Sequence, residues 1–146
     1  YIFQMFNLIP YLDVCENICL PCRMIGERRA KVSGDLRDQA KHLAANLGIG
    51  EYIDQPVTAL SVGQQQRVAA ARALMGAPEI VIADEPTSAL DYDHREAFIK
   101  LLFKQAEEFN SAIVFVSHDK TLADMFTHKI ALNEINQATS GREAKA

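Results

Sequence analysis

Hydrophobic and polar positions follow two different rhythms along this chain, and the rhythm changes near residue 79. Over residues 35–47 the apolar side chains Leu36, Ala40, Leu43 and Leu47 recur at helical spacing, and Gly48 stands where a left-handed cap can close the helix. Upstream, Val14, Cys15, Ile18 and Cys19 share one face of a short helix, which the pattern ends near Pro21. Residues 5–12 are apolar and aromatic with Pro10 breaking any helix, and they read as a contact surface. Another helix opens at Ser61 and runs to about Leu74, where Gly76 and Pro78 stop it. The first half is therefore expected to be mainly helical.

Beyond Glu79 the apolar residues run together. Residues 80–83 form a short continuous stretch, as expected of a parallel strand buried on both faces. A helix starting near Asp91 sets Phe98, Leu101, Leu102, Ala106 and Phe109 on one side, and residues 112–116 supply a second buried strand, which completes a βαβ unit. A helix near residues 122–126 and a strand near 129–132 extend the alternation, and residues 137–146 read as a polar tail. Tyr1, Ile2 and Phe3 read as the end of a strand already under way, and the first residue is not Met, so an N-terminally incomplete chain is expected.

Composition narrows the possibilities. With 49% hydrophobic and 23% charged residues, the 146-residue chain has ordinary globular content for one domain or part of one. Its net charge of −4 argues against a nucleic-acid partner, since phosphate-backbone binders carry a basic excess. No apolar run reaches the roughly 18–20 residues of a bilayer span and no leader pattern is present, which gives a soluble, cytoplasmic expectation. Cys15, Cys19 and Cys22 have a spacing also found in radical enzymes that hold an iron–sulfur cluster. The simpler reading makes them small hydrophobes on a helix face, because the barrel such chemistry uses takes ~200 residues or more.

Candidate chemistry collects at the strand ends. In a right-handed βαβ crossover the carboxyl ends of both strands lie on one edge, where open α/β sheets bind ligands. Asp84 and Glu85 follow the first strand, His118 follows the second, and Gln4 follows the fragmentary strand at the start. Between them lies a helix start in which Ser61 and Gln64 can form a capping box, leaving the N–H groups of Val62 and Gly63 outward for an anion. Singly, each has an ordinary structural explanation: a solvated turn, a loop histidine, a polar strand end, a common helix cap. Their joint order points to nucleotide hydrolysis.

That order resembles the nucleotide-binding subunit of ATP-binding cassette transporters. Gln4 is similar to the family's Q-loop glutamine, residues 60–64 to its signature, residues 80–85 to Walker B, residues 88–91 to the D-loop, and His118 to the switch histidine. Residues 6–12 and 16–21 are similar to the subgroup serving lipoprotein release and macrolide export. The resemblance implies an α/β fold, the C-terminal part of a P-loop NTPase (RecA-like) parallel sheet core plus the family's helical subdomain. It divides the chain into a strand end and Q-loop start (1–4), a Q-loop and helical subdomain (5–75), a core carrying Walker B, D-loop and H-loop (76–136), and the tail.

The resemblance further implies ATP and Mg²⁺, with Asp84 toward the metal, Glu85 as general base, His118 toward the γ-phosphate, and Gln4 as a catalytic residue that senses the metal or water and reports to the membrane subunit. Ser61, Gly63, Gln64 and Asp91 would serve the nucleotide of a second subunit in a head-to-tail dimer. A transmembrane permease would be the other partner, with the ATPase peripheral on the inner face of the cell membrane. Two departures qualify it. Val62 replaces the signature's first glycine, and no glycine is followed by lysine, so the phosphate loop is absent from this chain. The fragment by itself is accordingly expected to be inactive, and a truncated, non-hydrolysing interaction module is the alternative. A soluble cassette ATPase of chromosomes or ribosomes is disfavoured by the short stretch between Gln4 and Ser61, which leaves no room for a long coiled-coil insertion.

Overall fold

The computed structural model describes residues 1–135; the expected polar tail at 137–146 lies outside the described residues. Helix α1 (Val14–Met24) starts at Asp13, whose carboxylate accepts from the Glu16 N–H at 2.7 Å while the Glu16 carboxylate accepts from the Asp13 N–H at 3.1 Å. It does not stop at Pro21. The helix passes through the proline to Met24, with Ile25 N–H donating to the Pro21 carbonyl at 2.9 Å. Tertiary packing explains the difference: Val14, Cys15, Ile18, Cys19 and Cys22 are all buried, and α1 packs along α3 and α4. That burial outweighs the ~3 kcal/mol an internal proline costs.

A short α2 (Gly26–Ala30) follows, then α3 (Leu36–Asn46), whose stripe Ala40, Leu43 and Ala44 is buried together with Leu47 beyond its end. Asp35 caps α3, and Gly48 takes φ +70° after it, as a left-handed stop requires. Helix α4 (Val62–Leu74) is buried almost all round in its second half, where Val68, Ala69, Ala70, Ala71, Ala73 and Leu74 lie. Such a helix forms the centre of a helical layer rather than its surface.

Strands β1 (Ile80–Asp84) and β2 (Ala112–Val116) pair in parallel, with Ile80 opposite Ala112 and Asp84 opposite Val116. The crossover between them is α5 (Tyr92–Glu108), which covers one sheet face with Phe98, Ile99, Leu102 and Ala106. Ile2 adds a single parallel bridge to Ala83 on the other edge of β1, its N–H donating to the Ile82 carbonyl at 2.7 Å.

Three expectations need correction here. The strands are buried on one face only: Val81 and Ala83 are inaccessible, but Ile80, Ile82, Val114 and Val116 are 38–57% exposed. Residues 129–132 are not a strand; Lys129 pairs with Asp124, exposed Leu132 opens a short α6 (Leu132–Ile135), and the segment finds no strand partner among the described residues. The helix expected near residues 122–126 is present as a 3₁₀ helix, Lys120–Met125. Within the loop at 5–12, Met5 and Tyr11 are over 80% exposed, whereas Phe6 is buried and belongs to the core rather than to a contact surface.

Candidate functional site

Glu85 follows β1 directly, and its backbone takes φ +45°, a left-handed conformation that a side chain other than glycine adopts at a cost. Its position is fixed from both sides, because its N–H donates to the Val116 carbonyl at 2.9 Å and its carbonyl accepts from the Ser88 N–H at 3.2 Å. The turn so formed aims the carboxylate across to the end of β2. There Glu85 Oε1 accepts the His118 backbone N–H at 2.8 Å and meets His118 Nδ1 at 2.7 Å. Since a carboxylate only accepts, the ring proton sits on Nδ1 and Nε2 is turned away from the pair. The second carboxylate oxygen is less engaged, with only Ser117 Oγ at 3.5 Å.

A cavity of about 300 Å³ opens at this edge, lined by Glu85, Thr87, Ser88, Arg95, Ser117, His118, Asp119 and Lys120. Sequence reasoning missed three charged groups among these, Arg95, Asp119 and Lys120. Lys120 lies two residues beyond His118, and adjacency alone could have suggested it. Arg95 could not be found that way: it sits on α5, donates to the Leu90 carbonyl at 3.1 Å, and pairs with Asp119 from the loop after β2. Hydrogen bonds from the Thr121 hydroxyl and backbone, reinforced by Arg95, hold the Asp119 carboxyl below the usual carboxylate range. A larger hollow, about 490 Å³ between Ile25, Arg28, Lys31 and Ile80, lies at the opposite end of β1 and is remote from these groups.

The other expected residues are distributed as follows. Asp84 is half-buried at the end of β1, and its N–H donates to the Ile2 carbonyl at 2.9 Å, so the chain leaving Ile2 carries exposed Gln4 toward the same edge. Ser61 caps α4 and forms the capping box: its hydroxyl accepts from Gln64 N–H at 3.4 Å and its N–H donates to Gln64 Oε1 at 2.8 Å. Ser61 is exposed and Gly63 half-buried, so this helix start faces outward rather than into the core. A Cβ added at Gly63 would lie 3.7 Å from Leu90, next to Asp91. Asp91 caps α5, accepting from the His94 backbone at 3.0 Å and from its ring at 2.6 Å, and these bonds lower its pKa. The strand ends thus bring Asp84, Glu85, His118 and Gln4 to one edge, while Ser61, Gly63 and Gln64 form a separate outward turn on the helical layer.

The cysteines make no cluster. Cys15 and Cys19 are buried with sulfurs 4.0 Å apart, all three thiols are free, and no metal-holding group of His, Cys, Asp or Glu occurs among the described residues. Burial, with Cys15 adjacent, pushes the Cys19 thiol up to about 12, so it is protonated and inert at neutral pH.

A parallel βαβ unit with an acidic pair and an imidazole on its carboxyl edge defines an α/β protein of the kind that binds ligands at that edge. The family model described as ABC transporter matches residues 1–88, and the chain belongs to that family. It is 42% identical, over 84% of its length and 52% of the relative's, to the Escherichia coli K12 protein named uncharacterized ABC transporter ATP-binding protein YbbA. The lipoprotein-releasing system ATP-binding protein LolD of Cytophaga hutchinsonii is 38% identical over 92% of the chain and 59% of LolD. The macrolide export ATP-binding/permease protein MacB of Aggregatibacter actinomycetemcomitans is 38% identical over all of the chain and 22% of MacB.

Among solved structures, the dimeric bacterial ABC transporter cassette MJ0796 is similar at 38% identity with a TM-score of 0.67, over 84% of this chain and 53% of that one. Its post-hydrolysis state bound to ADP and Pi superimposes with the same score. The chain spans about half the length of the YbbA and MJ0796 proteins it matches. No helix among the described residues is long and apolar enough to cross a membrane.

Proposed function

We propose that these residues form the Walker B, signature and switch portion of an ATPase subunit that powers a membrane ABC transporter, an exporter of the lipoprotein-release or macrolide-export type. The observation that carries this reading is Glu85: a carboxylate held in a left-handed turn, its Oε1 engaged by His118 at 2.7 and 2.8 Å, on the wall of a cavity at the strand ends. A group held that rigidly keeps one oxygen, Oε2, for the proton of an attacking water. His118 locks the carboxylate and keeps Nε2 for a phosphate oxygen, which the ring engages by hydrogen bonding when protonated.

The donors also suit Mg²⁺. The edge offers the Asp84 carboxylate and the Gln4 amide oxygen, and Mg²⁺ is commonly held by one or two such groups with phosphate oxygens and water completing its shell. Bound there, the ion would neutralise charge on the transferring phosphoryl group. Ser61, Gly63 and Gln64, facing outward from α4, would complete the site of a second subunit's ATP, with Asp91 at the junction. Exposed Met5 and Tyr11 suit a permease at the inner membrane face. The net charge of −4 supports no nucleic-acid partner.

Replacing Glu85 by Gln in the complete protein should lower ATP turnover at least about 100-fold while ATP still binds, because the amide keeps the contact to His118 but cannot take a proton. Steady-state phosphate release together with equilibrium ATP binding reads both quantities. Unchanged turnover in that variant would remove Glu85 from its role and the reading with it.

A further inference from the structure

Helix α4 carries two buried side chains that the site description leaves without a task. Arg72 is nine-tenths buried, yet no carboxylate among the described residues pairs with it. Its guanidinium instead spends its donors on two consecutive carbonyls, Nη1 to Asn7 at 2.7 Å and Nη2 to Phe6 at 2.5 Å. Burial alone lowers its pKa, as expected of a cation taken from water without a counter-charge. A charge kept inside on these terms is costly.

What it grips is a strained turn. Phe6 and Asn7 both take positive φ, +59° and +48°, and neither is glycine. Their own amides donate inside the turn, Phe6 to the Phe3 carbonyl at 2.9 Å and Asn7 to the Met5 carbonyl at 2.7 Å. Gln4 lies inside the turn that the Phe3–Phe6 bond closes, so the conformation of this turn sets where that amide points. Six residues earlier on the same helix, buried Gln66 donates to the carbonyl of Pro86, the residue after Glu85. One helix therefore holds the backbone beside both Gln4 and Glu85, and its first residues follow the Ser61 cap.

We propose that Arg72 is a positioning residue: by forking onto the Phe6 and Asn7 carbonyls it holds the left-handed turn and thereby registers Gln4 against Glu85. The functional half of this statement rests on the ATPase reading above; the structural half does not. A fork is needed because two adjacent carbonyls each accept from a separate nitrogen, an arrangement that a planar guanidinium spans and a lysine ammonium does not match.

The test uses the complete protein with Arg72→Met, which keeps the apolar stem, and Arg72→Lys, which keeps the charge. Amide hydrogen exchange should rise at least about tenfold at Phe6 and Asn7 in the Met variant, with α4 amides protected as before; the Lys variant should show the rise at one or both amides. The kcat for ATP should fall about tenfold or more in the Met variant, with the ATP dissociation constant within about twofold of the parent. Unaltered protection at Phe6 and Asn7, or loosening spread evenly over α4 and the core, would overturn the proposal. If the Met variant does not fold, the Lys variant decides by the same amides. A parent protein without ATP turnover would sink the ATPase reading, while the exchange result would still decide whether Arg72 holds the turn.

Discussion

The helical layer and the sheet layer of this molecule solve the burial problem differently. In the helical layer Ile18, Leu43, Leu47 and Leu74 are fully inaccessible, and α1, α3 and α4 cover one another. In the sheet layer α5 covers one face, and the other presents Ile80, Ile82, Val114 and Val116 to solvent. The parity of the Ile2–Ala83 bridge adds Tyr1 and Phe3 to that open face, where their rings stack with centroids 4.3 Å apart. A helical stripe specifies which side is covered, whereas a continuous apolar run says only that both faces favour cover. The chemistry follows the same division. Glu85 and His118 need only the strand ends and their turns, while Ser61 and the buried tethers Gln66 and Arg72 come from the completed layer.

Truncation separates the two layers most sharply. Leu43→Ala should destabilise the chain by about 2–5 kcal/mol, the usual cost of emptying a fully packed leucine site. Ile82→Ala, at a site already 38% exposed, should cost less than about 1 kcal/mol in the same 146-residue chain. Urea unfolding midpoints of the two variants measure the contrast. Equal losses would mean that the open face is covered in solution, and sedimentation would then reveal self-association through it.

Next in size is Asn17, which acts by hydrogen bonding rather than by apolar burial. Its side chain is inaccessible, accepts from the Ile9 N–H at 2.8 Å, and donates to the carbonyls of Ile9, Leu12 and Asp13 at 3.0–3.3 Å. Replacement by Ala takes the side-chain partner from the Ile9 N–H and the Leu12 carbonyl, while the Ile9 and Asp13 carbonyls keep the backbone donors of Leu12 and Asn17, at a cost of about 1–3 kcal/mol. Proteolysis in residues 9–12 should accelerate in the variant. Unchanged stability and cleavage would show that the loop does not depend on α1, and the contrast between a helical layer that covers itself and a half-open sheet would weaken.

Much of this was legible in the chain. The cap at Ser61, the helix starts near Asp35 and Asp91, the stop at Gly48, both strands and the gathering of Asp84, Glu85 and His118 follow from periodicity, cap chemistry and the crossover rule. The differences share a cause: tertiary contacts decide what local signals alone do not. Pro21 sits inside α1 because packing overrides its local penalty, and residues 129–132, apolar after Lys129, form no strand because a strand needs an edge to join. Phe6 was indistinguishable from Tyr11 in an aromatic loop, yet the turn gripped by Arg72 buries one and leaves the other exposed. Arg95 and Arg72 were invisible for the same reason, since each acts on backbone or side chains far away in sequence.

The smallest effect expected near neutral pH grows only in alkali, and it tests whether the helical layer is as dry as its packing implies. Burial, then the adjacent Cys15, raises the Cys19 thiol from its ordinary 9.0 to about 12, and Cys15 and Cys22 shift in the same direction. A thiol whose folded pKa exceeds its unfolded value binds its proton more tightly in the native state. Its contribution to stability is complete below pH 9 and is lost as the pH climbs toward 12. The parent chain should therefore lose stability above pH 9 more steeply than Cys19→Ala, even though the variant starts lower because of its cavity. Tyrosines and lysines titrate in the same range, but they are common to both chains and cancel in the difference of slopes. Urea midpoints taken from about pH 8 to pH 11 give those slopes. Identical slopes would mean that water reaches the sulfur, and the distinction between a sealed helical layer and a half-open sheet would fail at its driest point.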